Sequence, residues 1–271
     1  MTENKLIKGN CLDYLPEIEK NSIDFIFTDP PYIKALADLY QEWHEQNHDF
    51  KVYGDIFSKI LKANGQVAIF CDFKTSVAIA KGFQDYFKFR YYYIWQKSNG
   101  QPVNKYMPRK NTELILIFKP KKALTSDLTY NPIFSKGKPY VKKHKAGNKT
   151  RNSDKSYITK NNGKRYPNQI LKYPSKDCMK FNERTDHPTQ KPLGLCKYII
   201  KTLSNPGDLI LDPFTGSGSL PLAALKLNRQ FIAIEKNPKY YKIAKSRITV
   251  ENNKQSIFNN KPKLNLIQNK E

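Results

Sequence analysis

The chain has 271 residues, and its 47 lysines and arginines outnumber its 24 aspartates and glutamates, giving a formal net charge of +23. A charge of this size favours a polyanionic partner, and nucleic acid is the first candidate. No apolar run approaches the roughly 20 residues that a membrane-spanning helix needs, and the N-terminus lacks the apolar stretch of a secretory signal, so we expect a cytoplasmic protein. The four cysteines have no CxxC spacing, which indicates neither a disulfide framework nor a zinc site.

The first part of the chain alternates short apolar runs with stretches of helical spacing. This alternation predicts an α/β layered fold with a mostly parallel sheet. The predicted strands are residues 6–8, 23–28, 66–71, 87–95 and 114–118, and the predicted helices are residues 11–19, 55–62 and 75–84.

The strand at 23–28 is followed directly by Asp29-Pro30-Pro31-Tyr32. Two prolines in succession make a stiff turn, because each fixes φ and lacks an N–H donor. The Asp29 carboxylate and the Pro30 carbonyl are then acceptors beside the flat face of Tyr32. Such a group can hold an exocyclic amino group and stack on the ring that carries it, although a strand followed by a plain proline turn would look the same.

Between residues 119 and 186 the periodicity is lost. This segment holds 18 lysines and arginines against 5 aspartates and glutamates, a net charge of +13, together with seven aromatic residues. A solvated linker would account for the charge but not for so many aromatics. Basic residues interleaved with aromatics suit phosphate contact and base stacking, so we favour an insertion that contacts nucleic acid.

Regular α/β spacing returns at residue 192. We expect helices at residues 193–203, 219–227 and 240–250, strands at 209–211 and 231–234, and a polar tail that frays from residue 251.

A second candidate site lies where the strand at 209–211 ends. The turn at 212–219 contains Gly216 and Gly218 and leads into a helix, and Glu235 ends the next strand, 23 residues after Asp212. A strand, a glycine turn and a helix form the first unit of a nucleotide-binding fold, and an acidic residue at this distance reaches ribose hydroxyls. The turn lacks the full GxGxxG pattern, and the chain has no GxxxxGK[ST], so we expect a cofactor that contains adenosine without bridging phosphates.

Three motifs together resemble the amino-group DNA methyltransferases that use S-adenosylmethionine. They are a DPPY motif at 29–32, a DPFxGSG motif at 212–218 and an HPTQKP element at 187–192. With the catalytic motif first and the cofactor motif last, their order resembles that of the β class. The resemblance implies an α/β fold with a Rossmann-like methyltransferase sheet, mostly parallel, with helices on both faces and a basic target-recognition insertion.

The resemblance also implies roles for single residues. Asp29 and the Pro30 carbonyl would accept hydrogen bonds from the target amine beside Pro31, and Tyr32 would stack on a base flipped out of the duplex. Asp29 at the first motif position favours adenine N6 over the alternative, cytosine N4. Asn10 stands where an aspartate is usual in the family. The residues implied at S-adenosylmethionine are Asn10 and Cys11 near its adenine, Thr189 and Lys191 near its carboxylate, Phe214, Gly216 and Gly218 at its methionine end, Glu235 at its ribose, and also Asp29, Asp212, Ser217 and Ser219.

The predicted organisation is a catalytic domain of residues 1–120 and 187–250, a target-recognition insertion of residues 121–186 and a tail of residues 251–271. Double-stranded DNA is the expected partner, with a cognate restriction endonuclease and a homodimer as further implications of the resemblance. No metal spacing is present. An RNA or protein methyltransferase and a catalytically silent nucleic-acid-binding subunit are the alternatives.

Overall fold

The computed structural model describes residues 4–33, 49–101, 105–145, 156–259 and 265–267. It divides into two compact units, one formed by Met1–Tyr130 with Gln169–Glu271 and the other by Asn131–Asn168. No helix within the described ranges is both long and apolar enough to cross a membrane.

The first unit is built on one nine-stranded sheet. Its order along the sheet is β10-β4-β5-β3-β2-β11-β12-β1-β13, and six of its eight strand pairs are parallel. The strands of the chain are β1 (Lys5–Lys8), β2 (Ile23–Thr28), β3 (Leu61–Cys71), β4 (Phe87–Gln101), β5 (Lys110–Pro120), β6 (Ser135–Lys136), β7 (Tyr140–His144), β8 (Tyr157–Asn161), β9 (Lys164–Arg165), β10 (Ile170–Tyr173), β11 (Leu209–Asp212), β12 (Gln230–Glu235) and β13 (Asn265–Ile267).

Helices cover both faces of this sheet. They are α1 (Cys11–Tyr14), α2 (Phe50–Ile60), α3 (Phe73–Phe83), α4 (Leu193–Leu203), α5 (Ser219–Lys226) and α6 (Pro238–Asn259). Residues of α4, α5 and α6 share one core cluster with one face of the sheet, and residues of α2 and α3 share a second cluster with the other face.

The central strand β2 shows why the sheet is buried on both sides. Four of its six residues are apolar, and successive side chains enter opposite clusters: Phe27 packs with the first and Ile26 with the second. Near-continuous apolar runs of this kind are typical of parallel strands covered on both faces. Full burial of a phenylalanine such as Phe27 contributes roughly 1.5–3 kcal/mol. The predicted fold class, a mostly parallel sheet with helices on both faces, is confirmed.

The structure adds a detail to the predicted, mostly parallel sheet and corrects the prediction for the tail. Strand β5 runs antiparallel to both β3 and β4, because β4 and β5 are joined as a long hairpin. The tail does not fray at residue 251: α6 continues to Asn259, and β13 pairs in parallel with β1. Without β13, strand β1 would leave a row of unpaired backbone groups at the sheet edge, so the added strand satisfies them.

The second unit, Asn131–Asn168, contains two small antiparallel sheets, β6 with β9 and β7 with β8. Aromatic contacts support them: the ring centroids of Phe134 and Tyr166 are 5.0 Å apart, and those of His144 and Tyr157 are 4.4 Å apart. The unit is narrower than the predicted insertion of residues 121–186, because β10 pairs with β4 of the main sheet. Its role in target recognition stays a prediction.

Candidate active site

The DPPY segment lies at the carboxyl end of β2, where open α/β sheets bind ligands. Asp29 and Tyr32 are half-buried, and Pro30 between them is buried. The Tyr32 hydroxyl lies 3.0 Å from Asp29 Oδ1, which ties the ring to the carboxylate. The two prolines thus hold an acceptor group and an aromatic face side by side, as the sequence predicts.

The other oxygen of Asp29 is paired with a lysine. Lys191 Nζ lies 2.5 Å from Asp29 Oδ2, and the lysine side chain is only 5% exposed. Burial raises the pKa of Asp29 above its ordinary value, although the Lys191 ammonium opposes the rise. Burial alone would lower the pKa of Lys191, but two neighbouring carboxylates, Asp29 and Glu113, raise it above its ordinary value. We predicted Lys191 at the cofactor carboxylate; in this structure its ammonium contacts the catalytic motif, and the cofactor contact stays a prediction.

Glu113 is a site residue that our sequence reasoning missed. It lies on β5, accepts a hydrogen bond from Lys97 Nζ at 2.5 Å and lies 3.0 Å from the Tyr32 hydroxyl and 3.5 Å from Lys191 Nζ. Burial alone would raise its pKa, but the two lysines hold that pKa below its usual value. The signal in the sequence was a single acidic residue at the start of an apolar strand.

The glycine turn of the second motif lies at the carboxyl end of β11, which pairs directly with β2. Asp212 ends this strand and is buried. Its Oδ1 accepts hydrogen bonds from Thr28 Oγ1 at 2.9 Å and from the Phe214 N–H at 3.2 Å. Its Oδ2 is buried without a partner among the described residues. Burial raises the pKa of Asp212 to about 7.

Two glycines give the turn its shape. Gly216 and Gly218 have φ of +53° and +77°, a backbone region that residues other than glycine rarely adopt. A Cβ at Gly216 would lie 2.8 Å from His187 Nε2, and one at Gly218 would lie 2.9 Å from Ala244 Cβ. Both positions therefore need glycine for close packing as well as for backbone conformation.

Arg247 on α6 supports the same turn from the side. Its Nη1 donates to the Ser217 carbonyl at 2.6 Å and lies 3.2 Å from the hydroxyls of Ser217 and Ser219. These serines were predicted at the cofactor. In this structure their hydroxyls contact Arg247, and the cofactor contact stays a prediction. Arg247 itself was not predicted, because 28 residues separate it from Ser219.

Glu235 ends β12, the strand next to β11, as the sequence predicts. Its two carboxylate oxygens accept from the N–H groups of Gly216 at 2.7 Å and Asn237 at 2.8 Å. Burial raises its pKa, while these backbone donors favour the ionised form. Each oxygen can accept a second hydrogen bond, so the fixed carboxylate retains capacity for ligand hydroxyls.

The residues predicted near the cofactor adenine also reach this sheet edge. The Gly9 N–H donates to the Glu235 carbonyl at 3.0 Å, which brings Asn10 close to the end of β12. Asn10 caps the N-terminus of α1, because its Oδ1 accepts a hydrogen bond from the Leu12 N–H. The buried Cys11 thiol lies 3.8 Å from the Tyr53 hydroxyl. The Tyr53 ring in turn meets the Phe214 ring edge-on, with centroids 5.5 Å apart.

The HPTQKP element is held by a buried amide. Gln190 Oε1 accepts from the Thr185 backbone and hydroxyl, each at 2.8 Å, and its Nε2 donates to the Glu183 carbonyl at 2.7 Å. The ring centroids of His187 and Tyr240 are 4.3 Å apart. Burial lowers the pKa of His187 to about 3, so the imidazole is neutral. Thr189, predicted near the cofactor carboxylate, is half-buried in the same element.

The donor set of this edge fits S-adenosylmethionine. The unpartnered Oδ2 of Asp212 is a buried acceptor of the kind that an ammonium group satisfies. The positive φ of Gly216 and Gly218 shapes the turn, and Glu235 beside it presents a fixed carboxylate. Among the described residues, no three His, Cys, Asp or Glu side chains converge to hold a metal ion.

Comparison with known proteins agrees with this geometry. The DNA methylase family N6_N4_Mtase matches residues 23–246, most of the chain. The chain belongs to this DNA methylase family. The predicted family is thereby confirmed, and all three motifs lie inside the matched range.

Named relatives of this DNA methylase cover nearly its whole length. It is 29% identical to the type II methyltransferase M.HpaI of Haemophilus parainfluenzae, over 93% of this chain and 76% of that protein. It is also 29% identical to the DNA adenine methyltransferase YhdJ of Escherichia coli K12, over 90% of this chain and 82% of that protein. A solved M1.HpyAVI–SAM complex is 28% identical, with a TM-score of 0.60, and covers 90% of this chain and 99% of that one.

Proposed function

We propose that this DNA methylase transfers a methyl group from S-adenosylmethionine to the N6 amino group of adenine in double-stranded DNA. The observation that carries the proposal is the pairing of two sites on neighbouring strands. Asp29 and Tyr32 follow β2, the glycine turn follows β11, and the Thr28–Asp212 hydrogen bond joins the strand ends. The relatives named above as adenine and type II methyltransferases support the same reaction.

The acceptor pair supplies the activation that an aromatic amine needs. The lone pair of the adenine amine is delocalised into the ring, so the amine is a poor nucleophile. If Asp29 and the Pro30 carbonyl accept hydrogen bonds from its two N–H groups, the lone pair localises on nitrogen and takes a fixed direction. As the N–C bond forms, the bond from sulfur to the methyl group breaks, and the amine releases one proton. When bound, S-adenosylmethionine supplies an electrophilic methyl group, and Asp212, Gly216 and Glu235 would hold it.

The adenine must leave the duplex to reach Asp29. Flipping a base out costs a few kcal/mol. Stacking on Tyr32 would return roughly 1–3 kcal/mol of that cost. Asp29 and Glu113 fix the Tyr32 hydroxyl, so the ring is held before the base arrives.

We propose that the second unit, Asn131–Asn168, is the core of the target-recognition region. It holds eleven lysines and arginines against one aspartate, a net charge of +10. Such a unit would contact the phosphate backbone, and its exposed Tyr140 and Tyr166 would provide stacking surfaces. We also propose that the protein is cytoplasmic, that it forms a homodimer and that it is accompanied by a cognate restriction endonuclease.

Product identity tests this function. The protein is incubated with S-adenosylmethionine and unmethylated bacteriophage DNA, and with an RNA pool in parallel. The nucleosides are then analysed by mass spectrometry, and the methylated sites are mapped by long-read sequencing. The expected product is N6-methyldeoxyadenosine at one recurring DNA sequence. N4-methyldeoxycytidine would contradict the adenine assignment, methylated RNA alone would contradict the substrate, and no product would favour a silent binding subunit.

A further inference from the structure

The ammonium group of Lys191 lies where the target base is proposed to bind. Its Nζ contacts Asp29 Oδ2 at 2.5 Å and also lies over the Tyr32 ring, 5.5 Å from the ring centroid. Asp29 Oδ1 already accepts from the Tyr32 hydroxyl, and the ammonium lies beside Oδ2 over the Tyr32 ring. A base stacked on Tyr32 with its amine on Asp29 would need the space that the ammonium fills. In this structure Lys191 therefore occupies both the acceptor and the aromatic face that the base would use.

Lys191 cannot simply leave Asp29. Its side chain is 5% exposed, and an unpaired ammonium in such a position costs several kcal/mol. A lysine that vacates Asp29 needs a second carboxylate within reach of the same side chain.

Glu113 supplies that carboxylate. Its Oε2 lies 3.5 Å from Lys191 Nζ, so a movement of roughly half an ångström would give a hydrogen bond of normal length. Lys97 holds the other oxygen of Glu113 at 2.5 Å, and the Glu113 side chain is 11% exposed. The two lysines keep the pKa of Glu113 low, so the carboxylate is ionised and able to receive an ammonium.

We propose that Lys191 is a placeholder that passes from Asp29 to Glu113 when the target adenine enters, and that Glu113 is the positioning residue that receives it. The inference rests on the proposed function, because only an incoming amine requires Asp29 to be vacated. No proton changes owner: one ammonium exchanges one carboxylate for another, and the buried charges stay balanced as two carboxylates and two lysines.

A double-mutant cycle tests the proposal. Glu113→Gln keeps an oxygen for the Tyr32 hydroxyl but removes the charge that would receive Lys191. We expect it to lower kcat/KM for unmethylated bacteriophage DNA by at least about tenfold in the wild-type background. In a Lys191→Met background no lysine has to be received, so the same change should cost less than about threefold. Within each background, Glu113→Gln should leave the affinity for S-adenosylmethionine, measured by calorimetry, unchanged.

Lys62→Met is the matched control. Lys62 pairs with Asp24, which lies near the other end of the same strand β2, with Nζ 2.6 Å from Asp24 Oδ1. Loss of this pair should leave kcat/KM unchanged in both backgrounds. An equal cost of Glu113→Gln with and without Lys191 would overturn the proposal, as would a folded, cofactor-binding Lys191→Met protein that transfers no methyl group.

A structure provides a measurement that does not depend on any variant folding. The wild-type protein is crystallised with S-adenosylhomocysteine and a duplex that carries its mapped target. We expect Lys191 Nζ within about 3.2 Å of Glu113 and the target amine on Asp29. A lysine still on Asp29 with the base bound would overturn the proposal. Absence of any methyl transfer by the wild-type protein would instead refute the proposed function itself.

Discussion

The Thr28 hydroxyl donates a hydrogen bond to Asp212 Oδ1 at 2.9 Å, and this bond joins the two candidate sites at the sheet edge. Thr28 is the last residue of β2, directly before Asp29, and Asp212 is the last residue of β11, directly before the glycine turn. Thr28 is 1% exposed, so its hydroxyl serves the fold and not the solvent. The bond fixes the spacing between the acceptor group and the cofactor turn.

Thr28→Val should weaken both stability and cofactor binding. Valine has the shape of threonine but removes the hydroxyl that donates to Asp212 Oδ1. We expect a loss of about 1–3 kcal/mol in the free energy of unfolding, measured by urea denaturation, and weaker S-adenosylmethionine binding. In Thr202→Val, a buried control whose hydroxyl bonds within α4 to the Tyr198 carbonyl, binding should not change. Unchanged stability and cofactor affinity in Thr28→Val would show that the bond is unimportant.

Asp212→Asn should stabilise the cofactor-free protein at neutral and alkaline pH. Burial raises the pKa of Asp212 from 3.8 to about 7, so between these values the folded protein binds a proton that the unfolded chain does not. The free energy of unfolding therefore falls as pH rises from about 4 to 7, by on the order of 4 kcal/mol at most. Asparagine removes this loss, so the Tm of the variant should exceed that of wild type by more at pH 8 than at pH 5. The same variant should bind S-adenosylmethionine less tightly. A Tm difference that is independent of pH would contradict the assignment.

Gly218→Ala should be more damaging than Gly207→Ala. Both glycines have positive φ, +77° and +91° respectively, so both substitutions strain the backbone by about 1–3 kcal/mol. Only at Gly218 would the new Cβ collide with α6, at 2.9 Å from Ala244 Cβ, whereas nothing lies within 4 Å at Gly207. We expect the free energy of unfolding, measured by thermal or urea denaturation, to fall by at least about 1 kcal/mol more in Gly218→Ala than in Gly207→Ala. Gly218→Ala should also lose cofactor binding. Equal losses at the two positions would mean that the contact with α6 does not restrict this turn.

Replacement of residues 131–168 by a short glycine-serine linker should separate cofactor binding from DNA binding. Both flanking residues belong to the first unit, and Gln169 Nε2 is anchored on the Tyr92 carbonyl of β4 at 2.6 Å. We expect the shortened protein to fold and to bind S-adenosylmethionine as the whole chain does. Its affinity for duplex DNA should fall at least about tenfold, and the salt dependence of binding should become shallower. DNA binding that survives the replacement would place the recognition surface elsewhere in the chain.

The DPPY and DPFxGSG motifs could be placed from the sequence because each follows an apolar strand. In a mostly parallel sheet, carboxyl ends meet at one edge, so Asp29, Asp212 and Glu235 were expected at neighbouring positions. The direction of β5 could not be predicted, since an apolar strand reads alike in parallel and antiparallel pairing. Glu113 escaped notice for the same reason: only the hairpin of β4 and β5 brings it to Tyr32, 81 residues away in sequence. The parallel pairing of β13 with β1 was also missed, because a three-residue strand in a polar tail has no periodic signal.

The most direct test of the acceptor group measures methyl transfer and cofactor affinity in Asp29→Ala. Asp24→Ala is the matched control, because Asp24 lies near the opposite end of β2 and is also paired with a lysine. We predict that Asp29→Ala abolishes single-turnover methyl transfer to DNA, while its Kd for S-adenosylmethionine changes by less than about threefold. Asp24→Ala should transfer methyl groups at the wild-type rate. Wild-type transfer by Asp29→Ala would contradict the account, because no carboxylate would then be needed to activate the amine.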